Sequence, residues 1–250
     1  MSKRLWIDFL GQPLPATQQE PAATTSVVAV NTDNAVNMWT FGNGATLTCL
    51  NTAENLDIVP DKDAVGMIPP LDEAANDGIE IYGCNTKALT IDNSDGSFTI
   101  GTDPAFELSV KFDVVTVANF DVCAVGFRKQ EASLTAVEAA AEINDGSGYT
   151  DIACLNMNVG NIIIQTNLND TTAATTDTTV DWSDGDTKTL TVKVSSAGVV
   201  TYAIDGAAPT VTAAFTFDSG DVVVPCMLIT KAQNGSAGDI KLISWYQGPQ

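Results

Sequence analysis

The chain has 250 residues with 31 Asp plus Glu against 11 Lys plus Arg, a formal charge of −20, so most of its surface repels a phosphate backbone and nucleic acid is excluded as a partner. A hydrophobic share of 44% with 17% charged residues supplies a core and excludes a disordered chain. Nowhere do about 18 apolar residues run together without a charge, so no membrane-spanning helix is expected.

Residues 1–25 read as an extended N-terminal arm and residues 26–250 as a single domain. Leu5, Trp6, Ile7, Phe9 and Leu10 make a short apolar head. The Pro/Gln-rich run that follows, with Pro13, Pro15 and Pro21, suits neither a regular helix nor a central strand. Asp8 interrupts the head and the prolines end it early, so no secretory signal is expected. An apolar head on such an arm calls for something to lie against, and these five residues are the candidate partner-binding set.

From Ser26 to Leu50, apolar segments at Val27–Val30 and Ala45–Leu50 alternate with Asn- and Gly-rich turns and read as strands. Residues Asn51–Asp77, with Pro60, Pro69 and Pro70 among charges, read as a surface excursion. Strand signals then become regular: Ile79–Tyr82, Ala88–Ile91, Ser97–Ile100, Phe106–Val117 and Phe120–Phe127. In the fourth of these, Phe106, Leu108, Val110, Phe112 and Val114 alternate with Glu107, Ser109, Lys111 and Asp113, which predicts one buried and one wet face.

One short helix is expected at Ser133–Ile143, where Thr135 and Glu138 stand at capping-box spacing and Asn144-Asp145-Gly146 ends the run. Strands resume at Tyr149–Met157 and Asn161–Asn167, and the Thr/Asp-rich stretch Asn169–Thr179 reads as a loop. The clearest pattern follows. Leu190, Val192 and Val194, then Val200, Tyr202 and Ile204, are two alternating strands joined by a turn over Ser195–Gly198, and Asp205-Gly206 offers a positive-φ turn at the far end. Further strands are expected at Thr210–Phe217, Val222–Thr230 and Asp239–Trp245. About a dozen strands with one minor helix and no strand-helix-strand alternation predict an all-β fold, an antiparallel two-sheet β-sandwich.

Cys49, Cys84, Cys123, Cys154 and Cys226 sit far apart in mostly apolar runs with no C-x-x-C pair. They read as free buried thiols of a chain made and kept in a reducing cytoplasm rather than secreted.

The run Gly198-Val-Val-Thr-Tyr-Ala-Ile-Asp-Gly206, then Phe215-Thr-Phe-Asp218, Val222–Pro225 and a last strand ending Ile-Ser-Trp-Tyr246, resembles the concanavalin A-like (laminin G-type) jelly-roll sandwich over about residues 78–247. Together with Val125-Gly-Phe-Arg-Lys-Gln130 it is similar to virion structural proteins of tailed bacteriophages that carry this fold. The resemblance implies a capsid decoration subunit on the virion surface, with the major capsid protein or further copies of itself as partner. It also implies a second class of partner, host glycans, if the sandwich serves as a lectin-like module.

Reactive chemistry is sparse. The chain has no His, which removes Ser-His-Asp and Cys-His catalysis. Glycosidases on this sandwich resemble one another in a Glu-x-Asp-x-x-Glu or Glu-x-Asp-x-Glu strand, and neither string occurs; Asp77 with Glu80 and Glu107 with Asp113 are wrongly spaced. The expectation is a protein that is not an enzyme. Asp92-Asn-Ser-Asp-Gly96 and Asp181-Trp-Ser-Asp-Gly-Asp186 are the candidate Ca²⁺ strings, but neither has EF-hand spacing and such strings commonly form turns, so no cofactor is expected. Among Trp39, Trp182 and Trp245, Trp182 stands in a polar stretch and is the candidate for glycan stacking; Trp245 ends an alternating strand and reads as core.

Overall fold

The computed structural model describes residues 4–11, 35–40, 46–51, 61–69, 78–83, 96–130, 149–171, 173–232 and 239–250. The expected helix at Ser133–Ile143, the strands at Val27–Val30 and Ala88–Ile91, and the arm beyond Gly11 lie outside the described residues.

Sixteen strands are described: β1 (Leu5–Asp8), β2 (Ala35–Thr40), β3 (Thr46–Asn51), β4 (Asp61–Lys62), β5 (Met67–Ile68), β6 (Gly78–Tyr82), β7 (Phe98–Thr99), β8 (Phe106–Val114), β9 (Phe120–Lys129), β10 (Ile152–Asn158), β11 (Asn161–Asn167), β12 (Ala174–Asp181), β13 (Asp186–Val194), β14 (Val200–Ile204), β15 (Val222–Lys231) and β16 (Ile240–Pro249). They form two antiparallel sheets. The smaller runs β14-β13-β8-β16-β5-β4 with β1 also on β16, and the larger runs β12-β11-β10-β9-β15-β6-β3-β2 with β7 on β15. The chain is an all-β sandwich.

Alternation decides which side chains meet between the sheets. Phe106, Leu108, Val110, Phe112 and Val114 of β8 are all buried, as are Leu190, Val192 and Val194 of β13 and Val200, Tyr202 and Ile204 of β14. The larger sheet answers with Ile79, Ile81, Val125, Phe127, Leu155, Met227 and Ile229 in the same cluster. Phe106 of one sheet meets Phe127 of the other edge-to-face at 5.1 Å, a geometry that adds about 0.5–1.5 kcal/mol to the area buried. Gln247 of β16 also crosses the gap: its Oε1 accepts from Trp245 Nε1 at 2.9 Å and its Nε2 donates to Gly83 O at 2.5 Å. Gly83 is required there, because a Cβ would fall 1.3 Å from Gln247 Oε1.

Several findings depart from the sequence reading, among them β4 and β5, which lie within the stretch Asn51–Asp77 expected as a surface excursion and join the smaller sheet with Met67 buried. Leu5–Asp8, expected in an arm, is a strand of the smaller sheet paired with Ser244–Gln247. Ala174–Asp181, with its residues up to Thr179 expected in a loop, is a strand and stands at the end of the larger sheet among the described residues. Thr is β-branched and suits a strand, but an edge with mostly wet side chains shows no alternation to read. Thr210–Phe217, expected as a strand, touches the sheet only through the isolated pairing of Thr216 with Val199.

The turn from β10 to β11 places Val159 at φ 46° and Gly160 at φ 93°, the left-handed pair of a two-residue hairpin for which Asn-Gly is favoured. A β-branched residue is strained there. Val159 is exposed, so Val159→Asn is expected to stabilise the chain by about 1 kcal/mol through relief of that strain, read as a rise in the urea unfolding midpoint with unchanged slope.

Candidate functional site

Two places on the sandwich gather polar chemistry or open space. The first is the outer face of the larger sheet. The residues between the core positions, Glu80 and Tyr82 of β6, Arg128 of β9, Cys154 and Asn156 of β10 and Cys226 of β15, point away from the sandwich interior yet are buried. Arg128 is fully buried and spends its donors on named acceptors: Nε on Glu80 Oε1 at 2.6 Å, Nη2 on Tyr82 OH at 2.9 Å and Nη1 on Lys129 O at 2.9 Å. Tyr82 in turn donates to Glu80 Oε2. The guanidinium lies 5.0 Å from the Tyr82 ring centre and 5.1 Å from that of Tyr149, close enough for cation–π attraction.

Burial is the largest single influence on Arg128 and works against its charge, but Glu80, Tyr82, Tyr149 and Cys226 together hold the guanidinium well above its usual range. Burial, then Glu80, pushes the Tyr149 phenol well above its usual range; burial also raises Tyr82. Beside them, Asn156 Oδ1 accepts from Cys123 N at 2.9 Å and Asn156 Nδ2 donates to Gln165 Oε1 at 3.2 Å. A fully buried ion pair, bonded to Tyr82 and a backbone carbonyl as well, reads as a structural device. The thiols match that character: burial pushes Cys154 up to about 12 and Cys123 and Cys226 well above the usual range, so they are protonated and poor nucleophiles. All three are free and buried, as the sequence predicts for them.

The second place is a groove with a cavity volume of 340 Å³ beside β14. It arises because β14 is an edge strand whose would-be neighbour, the 207–216 segment, touches it only at its ends. Val200 N donates to Phe215 O at 3.0 Å, and Ile204 and Ala207 exchange bonds at 2.8 and 3.0 Å. Residues 200 and 204 therefore direct their backbone groups outward, and by strand alternation so does Tyr202, midway between them. Its amide and carbonyl face the gap. The lining residues include Pro209, Ala213 and Phe215 with Thr201, Thr212 and Thr216. No charged side chain is among the lining residues, unusual ground on a chain of charge −20. A cavity at the lower end of the roughly 300–1,000 Å³ small-ligand range, apolar with a few convergent polar groups, suits a small neutral ligand.

The residues singled out from sequence fall elsewhere. Trp182 is 2% exposed; it stacks on Phe112 at 4.5 Å and donates Nε1 to Asp186 O at 3.0 Å. The expectation of an exposed stacking face there is corrected, because a polar sequence neighbourhood does not stop an indole from capping the core when one carbonyl satisfies its N–H. Trp245 is buried as expected. Of the apolar head, Ile7 and Phe9 enter the core, so they face no partner, whereas Trp6 at 57% and Leu10 at 46% remain exposed; of Leu5 only the backbone is described. In the second Ca²⁺ string, Asp184 accepts from Val117 N at 2.8 Å and Asp186 from Ser183 N at 3.0 Å; these acids brace turns. Asp92–Asp95 lie outside the described residues, and among those described no group of three or more His, Cys, Asp or Glu is placed to hold a metal. Sequence reasoning missed the groove because its key groups are backbone atoms and small side chains.

No family model matches the chain, and no curated protein sequence does. Solved structures do. The carbohydrate recognition domain of Emp46p in its potassium-bound form matches 81% of this chain and 88% of its own, with 10% identity and a TM-score of 0.51. The galectin LEC-6 of Caenorhabditis elegans matches 68% of this chain and 95% of its own, with 12% identity and a TM-score of 0.36. The chain thus shares the sandwich fold of the Emp46p domain. None of these structures is described as a virion protein. Alginate lyase AlgAT5, of polysaccharide lyase family 7, matches 84% of this chain and 77% of its own, with 11% identity and a TM-score of 0.39. That corrects the expectation that the chain is not an enzyme. Lyases share the sandwich with lectins, and the missing His and carboxylate strings exclude particular mechanisms, not catalysis on the fold.

The buried network sets two expectations. Arg128→Met leaves Glu80 as an unpaired buried charge and is expected to cost about 3–5 kcal/mol, while Arg128→Met with Glu80→Leu recovers most of the loss, both read by urea unfolding. The raised thiols and phenols are protonated in the folded chain and release protons on unfolding. The thiols' contribution to stability is therefore full below about pH 8.5 and the phenols' below about pH 10, and above those values each is lost by about 1.4 kcal/mol per pH unit; unfolding midpoints measured at pH 8, 9 and 10 should decline in that order, through the thiols.

Proposed function

We propose that the chain is a carbohydrate-binding domain that takes a neutral saccharide in the groove beside β14. The observation that carries this reading is the sandwich it shares with a carbohydrate recognition domain, at a TM-score of 0.51 over 81% of the chain. The groove adds what a sugar requires. Pro209 and Ala213 among the lining residues are apolar, suited to the C–H face of a ring, and Thr201, Thr212 and Thr216 with the Tyr202 backbone are of the kinds that exchange hydrogen bonds with its hydroxyl groups. The uncharged lining and the chain's −20 charge select against acidic sugars.

A second reading, a decoration subunit on a phage virion bound to a capsid protein or to further copies, rests on the sequence resemblance and on exposed Trp6 and Leu10. The likenesses favour the first.

A glycan array with the intact chain is expected to show retention of neutral oligosaccharides and none of acidic ones. Ala213→Trp, at a half-buried groove wall, should fill the cavity and weaken that binding by about tenfold or more, a loss of about 1.4 kcal/mol, with the unfolding midpoint unchanged. A blank array, or binding indifferent to Ala213→Trp, overturns the site. Trp182→Ala is no test of binding, because removing so buried an indole is expected to cost about 3–5 kcal/mol of stability.

A further inference from the structure

We propose that the groove beside β14 is a blind pit that takes the terminal residue of a neutral glycan and excludes the interior of a chain; this rests on the saccharide reading above. The path of the backbone carries it. β14 runs Val200–Ile204, and the chain then turns at once, with Ile204 and Ala207 bonded to each other in both directions at 2.8 and 3.0 Å. It regains the start of the strand at Phe215, whose carbonyl accepts from Val200 N at 3.0 Å, and Phe217 N donates to Gly198 O at 3.1 Å just beyond. Residues 207–215 thus return over the length that the five residues of β14 span. A strand paired residue for residue needs no more than its neighbour, so the surplus arches away. The result is a closed ring of main chain, with β14 as one side and the arch as the other.

The two openings of this ring differ. Toward the interior it is plugged: Val200, Tyr202, Phe215 and Phe217 are buried in the core cluster and Ala213 packs against it, with Phe215 and Phe217 edge-to-face at 4.9 Å. Toward solvent, Thr201, Thr212 and Thr216 are exposed. The space of 340 Å³ therefore has one mouth. A polymer threading a site needs an entrance and an exit, whereas a chain end needs only the mouth. The volume stands near the bottom of the roughly 300–1,000 Å³ of small-ligand sites, which suits one sugar residue better than a run of them. Glycans on a carrier are attached through their reducing end, so the end free to enter is the non-reducing one. A site this small makes few contacts, so single ends bind weakly and densely displayed ends are retained firmly.

The test uses the intact chain on densely immobilised neutral glycans, each set beside two relatives: one with the same terminal residue on a different interior, and one lengthened at the non-reducing end by a single different residue. End recognition predicts that retention follows the terminal residue whatever lies behind it, falls by about tenfold or more on lengthening, and is competed by the free monosaccharide of that terminal residue. Ala213→Trp and Thr212→Trp, the latter at an exposed position, should each lower the same retention by about tenfold or more with the unfolding midpoint unchanged. Retention that follows an interior sequence and survives lengthening, yet is lost in both Trp variants, overturns end recognition and leaves the saccharide reading in place. End-dependent retention that both Trp variants keep overturns the pit as its seat. A blank array overturns the saccharide reading, and end recognition with it.

Discussion

The smaller sheet depends on the pairing of the last strand with the middle of the chain. β16 is joined along its length to β8, and on its other edge to β1 and β5. It brings Trp245 and Gln247 into the interior, where one amide side chain satisfies the indole and reaches the larger sheet. Until residues 240–249 are in place, β8 lacks a neighbour on one side and the strand from the chain's beginning has nowhere to pair. Such an arrangement is rich in contacts between distant parts of the sequence, a topology that folds slowly because loop closure comes before the contacts that reward it.

Much of this was legible where a segment has one dry and one wet face. The β13–β14 hairpin, β8 and β11 follow alternation closely because each lies between a core and solvent or a second layer. Legibility failed where that asymmetry is absent or hidden. β12 has mostly wet side chains and reads as a polar loop. β1 is four residues long, too short for a period to show, and its prolines lie beyond it. Trp182 stands among Asp and Ser, and only the fold shows that its ring turns to Phe112 while its neighbours brace the turn. The buried ion pair escaped for a related reason: Glu80 and Arg128 are 48 residues apart, and nothing local in either strand announces a partner. The groove was beyond reach altogether, since its polar groups include the outward backbone of an edge strand, which exists only once the neighbouring segment has bulged away.

The two candidate places divide the chemistry of the chain between them. The outer face of the larger sheet holds a buried ion pair, phenols and thiols, with Arg128 bonded to Glu80, Tyr82 and Lys129 O and the Tyr149 hydroxyl buried without a hydrogen-bond partner among the described residues. The groove beside β14 holds no charge and leaves its hydrogen-bonding groups open. Ligand chemistry is better placed in the second, because Glu80, Arg128 and Tyr149 of the first are shut away from solvent.

The far edge of the larger sheet has a different consequence. Between Ile162 and Ile163 the pairing with β12 slips from Val180 to Asp177, so Thr178 and Thr179 form a bulge. Thr179 sits at φ 63° and Thr178 turns its hydroxyl to Ile162 O. The kink, together with exposed Asp177 and Asp181, interrupts the row of amides that a neighbouring chain would need for zippering. One rim of the molecule is thus protected from sheet-to-sheet aggregation, so that a fold made almost wholly of strands can be present at high concentration without growing along that side.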